Sequence, residues 1–535
     1  MEERKGFGTN FGFLMAAVGS AVGLGNIWGF PNKMGASGGF TFLVIYLVLA
    51  VLCGFIVMVG ELALGRKTRH GAVGAYKALS KKFKWMGWMG ILSAFFILFF
   101  YCALGGYCIK YTVLNIGDLF HAGFGANALA ETAVANGHSL GAEVFGAFMS
   151  SPTEAIVYGL IFVAITMIIV LGGIGGGIEK VCSVGMPALF VMLLICIIRA
   201  CTLEGAVDGL KYMFVPGWAV ANGVIEEAPN FLTVLSTAGG QMFFSLSLGM
   251  GAMITYGSYL KKQESVQKNA VIIVICDTLV AIMAGMIVMP ACYAFLGGET
   301  SSGPGLLFLS MQIVFEKMGY VGNIMGFLFY SLVFIAAISS SFSLLEVITS
   351  FKVDHNVEQG KAPGRKKYAI LAACIIFVFC LPTCLDGLGA GTNGGATIGN
   401  PADVLGMHWA EAGDISEFAE GTDYYVKGDD GIYTKLAADE AFVEGETYYL
   451  NTARTWNGDW LDFYDMLSEG ILMPLGALLM SIMYGWELGP EVVHAEATCE
   501  GQKFGAYGWF RICIKYITPL AMLLVLYGQI KEFFF

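Results

Sequence analysis

The sequence predicts an all-α polytopic membrane protein with eleven transmembrane helices, and three observations carry that prediction. Of 535 residues, 56% are apolar and only 13% charged, with a mean hydropathy of +0.69. A soluble domain needs about 25% charged residues to solvate its surface. Eleven apolar stretches are each long enough to cross a hydrocarbon core about 30 Å thick. Basic residues also collect in alternate connections, as they do on the cytoplasmic side of a bilayer.

The stretches lie near 11–35, 40–65, 88–116, 153–171, 184–202, 231–258, 269–297, 320–351, 368–385, 461–486 and 508–530. Barrel strands would show short alternating segments, so these crossings read as helices. Arg4 and Lys5 precede the first one, but no small-residue cleavage site follows and the apolar run continues to Pro31. It therefore reads as a retained span and not as a signal.

Connection 66–84 holds Arg66, Lys67, Arg69, Lys77, Lys81, Lys82 and Lys84 without a carboxylate. Lys261, Lys262 and Lys268 mark the connection at 260–268, and Lys352, Lys361, Arg365, Lys366 and Lys367 that at 352–367. The alternate connections carry Asp118, Glu131, Glu143 and Glu154, then Glu204, Asp208, Glu226 and Glu227. The N-terminus is therefore expected in the cytoplasm, and an odd number of spans places the C-terminus outside.

Segment 386–459 stands apart, rich in Asp, Glu, Gly and Thr, with Tyr pairs at 424–425 and 448–449 and no Cys. It is far longer than an ordinary connection and is expected outside. Its fourteen carboxylates and three basic residues account for the whole net charge of −11, since the rest of the chain carries 27 of each sign. The body is neutral, which gives no support to nucleic-acid binding.

Other chemistry is thin. The thirteen Cys lie mostly inside spans without zinc-like spacing, and read as packing residues. The six His fall in connections or near span ends. Gly35-Ala36-Ser37-Gly38-Gly39 and Gly389-Ala390-Gly391-Thr392-Asn393-Gly394 match enzyme strings, but neither follows a predicted strand. No enzyme is expected. A channel would show a repeated filter or charged rings, whereas this chain shows one asymmetric site.

That site is marked by two glycine clusters inside spans: Gly19-Ser20-Ala21-Val22-Gly23-Leu24-Gly25-Asn26 in the first and Ser245-Leu246-Ser247-Leu248-Gly249-Met250-Gly251 in the sixth. Unwinding there frees backbone carbonyls and amides, which is tolerable in a membrane only where they line a cavity. Small residues also serve close helix packing. The positions favour unwinding, because spans one and six are equivalent members of two five-span halves. Five is odd, so the halves run in opposite directions, the arrangement of inverted-repeat transporters with a site at the midplane. The first repeat is expected over 10–202 and the second over 231–486, within one transporter domain of 1–535, with 508–530 as an appended span.

Four motifs sharpen this. Ala21-Val22-Gly23-Leu24-Gly25-Asn26-Ile27-Trp28-x-Phe30-Pro31, Gly60-Glu61-Leu62-Ala63-Leu64-Gly65-Arg66, the run Ser245 to Tyr259, and Ala336-Ala337-Ile338-Ser339-Ser340-Ser341 occur in that order. The chain thereby resembles the neurotransmitter:sodium symporter family, in its bacterial, leucine-transporter-like, eleven-span type.

The resemblance implies the leucine-transporter fold and two sodium ions as cargo. It places the first at the Ala21 carbonyl, Asn26, Ser245 and Asp277, completed by the substrate carboxylate. It places the second at the carbonyls of Gly19, Val22 and Ala336 with the hydroxyls of Ser339 and Ser340. Oxygen ligands suit a hard cation. Animal members carry Asn where Asp277 stands and need chloride, so chloride independence is expected here. Monoamine carriers place Asp at the Gly23 position, so this substrate is expected to bring its own carboxylate. The substrate carboxylate would meet the amides of Leu24 and Gly25 and the Tyr101 hydroxyl. The ammonium would meet carbonyls of Ala21, Phe244 and Ser245, with Ser247 nearby. Ile97, Phe244, Met250, Ser341 and Leu344 would surround an apolar side chain, and Met250 in place of a Phe leaves room for a large or aromatic one.

The resemblance also implies gates. Arg4, Phe7, Tyr259 and Asp354 match the cytoplasmic latch, with Glu346 where others carry Gln; Tyr101 and Phe244 would form the outer lid. One feature departs. The outer Arg that follows Trp28 in the family is Gly29 here, while its acidic partner is retained as Asp465. That bridge is therefore absent, leaving closure to the aromatic lid, water or segment 386–459. The expectation is a sodium-coupled importer of a hydrophobic L-amino acid in a bacterial plasma membrane, without organic cofactor, as a monomer or weak homodimer. The alternatives are a transporter-like sensor or binding protein, or a symporter for another small amino-carboxylate.

Overall fold

The structure is a computed structural model that describes residues 6–298, 301–388, 398–399, 401–405, 409–412, 424–427, 433–436, 447–451 and 455–534. Among them, nine helices are long and apolar enough to cross a membrane: Phe40–Thr68, Met86–Leu119, Pro152–Leu171, Ile174–Cys201, Val266–Leu296, Tyr320–Glu358, Arg365–Leu385, Trp460–Glu487 and Tyr507–Phe534. They coincide with nine of the eleven expected spans. The first expected span is a bent pair, Asn10–Ala21 and Gly25–Ala36, at 48°. The sixth is Phe231–Ser245 followed by Ala252–Tyr259, each half too short to cross alone.

Burial orders the bundle. Span three, Met86–Leu119, is 83% buried over its most apolar stretch, whereas spans four and five are 33% and 28% buried there. Span three is therefore central. Spans four and five present apolar side chains such as Leu160, Ile168, Val191 and Ile198 outward, the face that acyl chains would solvate. Span three packs along spans four and eight, span one against spans five and eight, and span six against spans two and eleven.

Local chemistry sets the ends and the breaks. Thr9 caps span one by accepting from the Gly12 amide at 2.9 Å, and the Asn230 and Ser265 side chains cap spans six and seven. At the first break Val22 is extended, with φ −72° and ψ 107°. At the second, Ser247, Gly249 and Gly251 all take positive φ. Gly249 is required there, because a Cβ would stand 2.5 Å from the Met473 carbonyl oxygen.

The body is all-α as expected, but the insertion is not. Strands β1 (Trp409–Glu411), β2 (Tyr424–Lys427), β3 (Tyr433–Lys435) and β4 (Tyr448–Asn451) form an antiparallel sheet in the order β1-β4-β2-β3. The two Tyr pairs noted in the sequence face each other, with Tyr425 opposite Tyr449. Asp386 closes the base of the insertion, accepting from the Trp460 amide at 2.7 Å and from the Leu388 amide at 3.1 Å. The Gly389–Gly394 string lies outside the described residues.

Candidate transport site

The two breaks meet. Ser247 donates to the Ser20 carbonyl at 2.8 Å, and Gln241 Nε2 donates to the Gly25 carbonyl at 2.6 Å. Carbonyls released by unwinding are thus engaged by side chains of the partner helix, as buried backbone requires.

Three of the four residues expected at the first sodium site form one buried cluster. Asn26 Nδ2 donates to Asp277 Oδ1 at 2.7 Å and to Ser245 Oγ at 2.8 Å, while Ser245 Oγ donates to Asp277 Oδ2 at 2.8 Å. Asn26 Oδ1 accepts from the Gly23 amide at 2.9 Å. Tyr46, which sequence reasoning missed, adds its hydroxyl 3.3 Å from Ser245 Oγ. The fourth, Ala21, lies buried at the end of the first half-helix.

The second set also converges. Ser340 Oγ lies 3.4 Å from the Gly19 carbonyl oxygen, 3.1 Å from that of Ser20 and 3.2 Å from that of Val22. Ser339 Oγ lies 2.9 Å from the Ala336 carbonyl oxygen and 3.5 Å from that of Val22. The Ser20 carbonyl was missed, because a hydroxyl-bearing residue in a small-residue run gives no hint of where its backbone oxygen points.

Between the two clusters, the Leu24 amide donates to the Tyr101 hydroxyl at 3.0 Å. A Cβ at Gly23 would meet Ser340 Oγ at 2.4 Å and the Tyr101 hydroxyl at 2.7 Å, and one at Gly25 would meet the Phe244 ring at 2.7 Å. Tyr101 and Phe244 therefore both lie against the first-span break. Ile97, Met250 and Leu344 are buried on the surrounding elements. Ser341 is buried too, but its hydroxyl pairs with Thr166 at 2.7 Å, so span four reaches the site as well.

On the side assigned to the cytoplasm, Phe7 sits edge-on to Tyr259 with ring centroids 6.1 Å apart and stacks on Tyr256 at 5.8 Å. Tyr259 donates to Glu346 Oε1 at 2.7 Å. Arg365 Nη1 lies 2.8 Å from the same oxygen and Nη2 2.5 Å from the other, a two-pronged ion pair that sequence reading did not anticipate. Asp354 accepts from the Gly71 amide at 2.8 Å. Arg4 lies outside the described residues.

On the outer side, Trp28 Nε1 donates to the Gly303 carbonyl at 2.8 Å. Gly29 faces Gln241, whose Oε1 would be 2.7 Å from an added Cβ. Among the described residues Asp465 makes no ion pair of its own; Lys33 pairs with Glu469 instead.

Comparison with known proteins agrees with this architecture. The model of the "Sodium:neurotransmitter symporter family" matches residues 4–121 and 151–398, more than half the chain. An uncharacterized sodium-dependent transporter, YhdH, of Bacillus subtilis is 29% identical over 531 residues, covering 97% of this chain and 96% of that protein. A Haemophilus influenzae sodium-dependent transporter, also uncharacterized, is 28% identical over 98% of each chain. Among solved structures, MhsT in complex with L-phenylalanine superposes with a TM-score of 0.74 at 29% identity, covering 98% of this chain and all of the other. A match of that extent, on a chain whose two interrupted spans meet as described, makes this protein a multi-pass, sodium-dependent member of the sodium:neurotransmitter symporter family.

Proposed function

We propose that the protein imports a hydrophobic L-amino acid, aromatic ones included, by coupling its entry to that of sodium without need of chloride. The observation that carries this reading is the crowding at Gly23. With Ser340 and Tyr101 hydroxyls where a side chain would start, the first break holds no acidic group, so the amino acid must bring the carboxylate. The Leu24 amide and Tyr101 hydroxyl offer it donors. The structural likeness to MhsT holding L-phenylalanine supports an aromatic side chain among Ile97, Phe244, Met250, Ser341 and Leu344.

Two sodium ions are the coupled cargo. Asn26 presents its nitrogen to Asp277 and Ser245 and its oxygen to the Gly23 amide; turning that amide over gives up the Gly23 bond, presents the oxygen to the cluster instead and makes an oxygen cage for the first ion. Asp277 supplies negative charge that chloride would otherwise bring. Ser339 and Ser340, with the carbonyls of Gly19, Val22 and Ala336, hold the second. Alternating access moves the two half-broken spans against the rest, with Phe7, Tyr259, Glu346 and Asp354 closing the inner side together with Arg4. The repeats span 10–202 and 231–486, and the basic residues of connections 66–84, 260–268 and 352–367 favour an N-terminus in the cytoplasm of a bacterium and a C-terminus outside, in a monomer or weak dimer.

The test is uptake by proteoliposomes across the twenty amino acids, with and without a sodium gradient, in chloride and in gluconate. Accumulation of large apolar L-amino acids only with inward sodium, equal in both anions, is expected. Sodium-dependent binding without accumulation would replace the importer by a sensor.

A further inference from the structure

The outer gate position of this chain is vacant in its first half: Gly29 has no side chain, and the space in front of it is taken by Gln241, which is tied to the Gly25 carbonyl. Gln241 Oε1 is left there buried, without a hydrogen-bond partner among the described residues, while Asp465 lies against Glu469 and Lys33. Spans one and ten run in opposite directions, so Lys33, four positions after Gly29, stands one turn outward of it, and Glu469, four positions after Asp465, stands one turn inward of that residue. Residues four apart share a helix face. These two charges meet in an ion pair, with side chains 25% and 6% exposed.

We propose that Lys33 and Glu469 form the outer latch of this transporter, in place of a pair between the positions of Gly29 and Asp465. This inference rests on the alternating-access reading above. Lys33 belongs to the outer half of span one, and Glu469 lies in the wide turn Met466–Leu472 of span ten. Span six passes the same point, since a Cβ on Gly240 would come within 3.1 Å of Glu469 Oε1. The pair thus joins the three spans whose outer ends must come together above the site. Asp465 and Glu532 also face Lys33, so the cation anchors span one within an acidic surround supplied by spans ten and eleven. Opening outward separates Lys33 from Glu469 and exposes both to water, which lowers the cost of parting them; a fully buried pair could not be opened so readily.

The test uses the full chain in nanodiscs with sodium chloride, comparing wild type with Lys33→Met, Glu469→Gln, and the exchanged pair Lys33→Glu with Glu469→Lys. Hydrogen–deuterium exchange is followed at the outer segments 25–36 and 460–470 and at the inner segments 8–12 and 252–260. Each single substitution is expected to raise exchange at the outer segments by about tenfold, the effect of about 1.4 kcal/mol. It should lower exchange at the inner segments, because a population moved outward closes the inside. The exchanged pair should return both toward wild type. Outer segments unchanged in the single variants, loosening at both ends alike, or an exchanged pair no better than the singles would each overturn the latch. Sodium-driven amino-acid uptake by the wild type is measured separately: if it is absent while exchange shifts as stated, the latch stands and the import reading falls.

Discussion

Asn26 and Asp277 are joined side chain to side chain at 2.7 Å, across a separation of 251 residues. Asp277 receives a second bond from Ser245, so its two oxygens face one donor each from the broken spans one and six. Replacing Asp277 by Asn turns one acceptor into a donor, which then opposes either Asn26 Nδ2 or the Ser245 hydroxyl. The expected result is a sodium requirement raised by about tenfold, equivalent to about 1.4 kcal/mol, and transport newly stimulated by chloride. Uptake by Asp277→Asn in chloride against gluconate measures it; unchanged sodium dependence in that variant would remove Asp277 from the coupling site.

Gly23 makes the second prediction. Its missing Cβ is occupied by the hydroxyls of Ser340 and Tyr101 at 2.4 and 2.7 Å. Gly23→Ala must push both away, and Ser340 is the side chain that gathers the Gly19, Ser20 and Val22 carbonyls. Substrate affinity is expected to fall by about tenfold or more, as when a close-approach contact is displaced, with sodium affinity falling in parallel. Isothermal titration with L-phenylalanine at fixed sodium, and with sodium alone, separates the two.

Much of this arrangement is legible in the sequence, for a physical reason. A membrane demands long apolar helices, and wherever Gly, Ser and Asn interrupt one in mid-span the backbone must find other partners, so the spans and both breaks are written locally. Lys33 and Glu469 are different. Each resembles any charged residue near a span end, and only the folded bundle brings them together, 436 residues apart. The same holds for Arg365, which the sequence offers as one more cytoplasmic charge and the fold turns onto buried Glu346. The strands of the insertion are three or four residues long, too short for alternation to be counted. Even so, their Tyr pairs were the visible trace.

Asp386 gives a pH dependence. Burial pushes its carboxyl up to about 7 from an ordinary value of 3.8, against the opposing bond from the Trp460 amide and with help from neighbouring Asp459. Asp459 is itself pushed up to about 6 by burial. Asp462, Tyr107 and Tyr464 also lie within reach of the Asp386 charge. A raised carboxyl value means that the folded state favours the neutral form. The stabilisation is complete below about pH 4 and is lost as pH rises through about 7. The base of the insertion should therefore hold more tightly at pH 5.5 than at pH 8.5. Amide exchange at Leu388 and Trp460 reads this directly, and Asp386→Asn should flatten the profile between those two pH values.

Glu346 carries the last prediction. It is fully buried and takes a hydrogen bond from Tyr259 and two from Arg365, whose side chain is 24% exposed. Arg365 Nη2 also reaches the Val170 carbonyl at 3.2 Å, tying span nine to span four. Removing the cation alone leaves a buried carboxylate uncompensated, a loss of about 3 kcal/mol or more. Arg365→Leu should therefore lower the thermal stability of the purified protein sharply. Glu346→Gln added to it should recover most of the loss, because the neutral amide still accepts from Tyr259 and leaves no buried charge. Melting curves of the single and double variants in detergent decide the matter: equal melting of Arg365→Leu and the double variant would show that the pair carries no charge compensation, and that Arg365 acts through its other contacts, such as that with Val170.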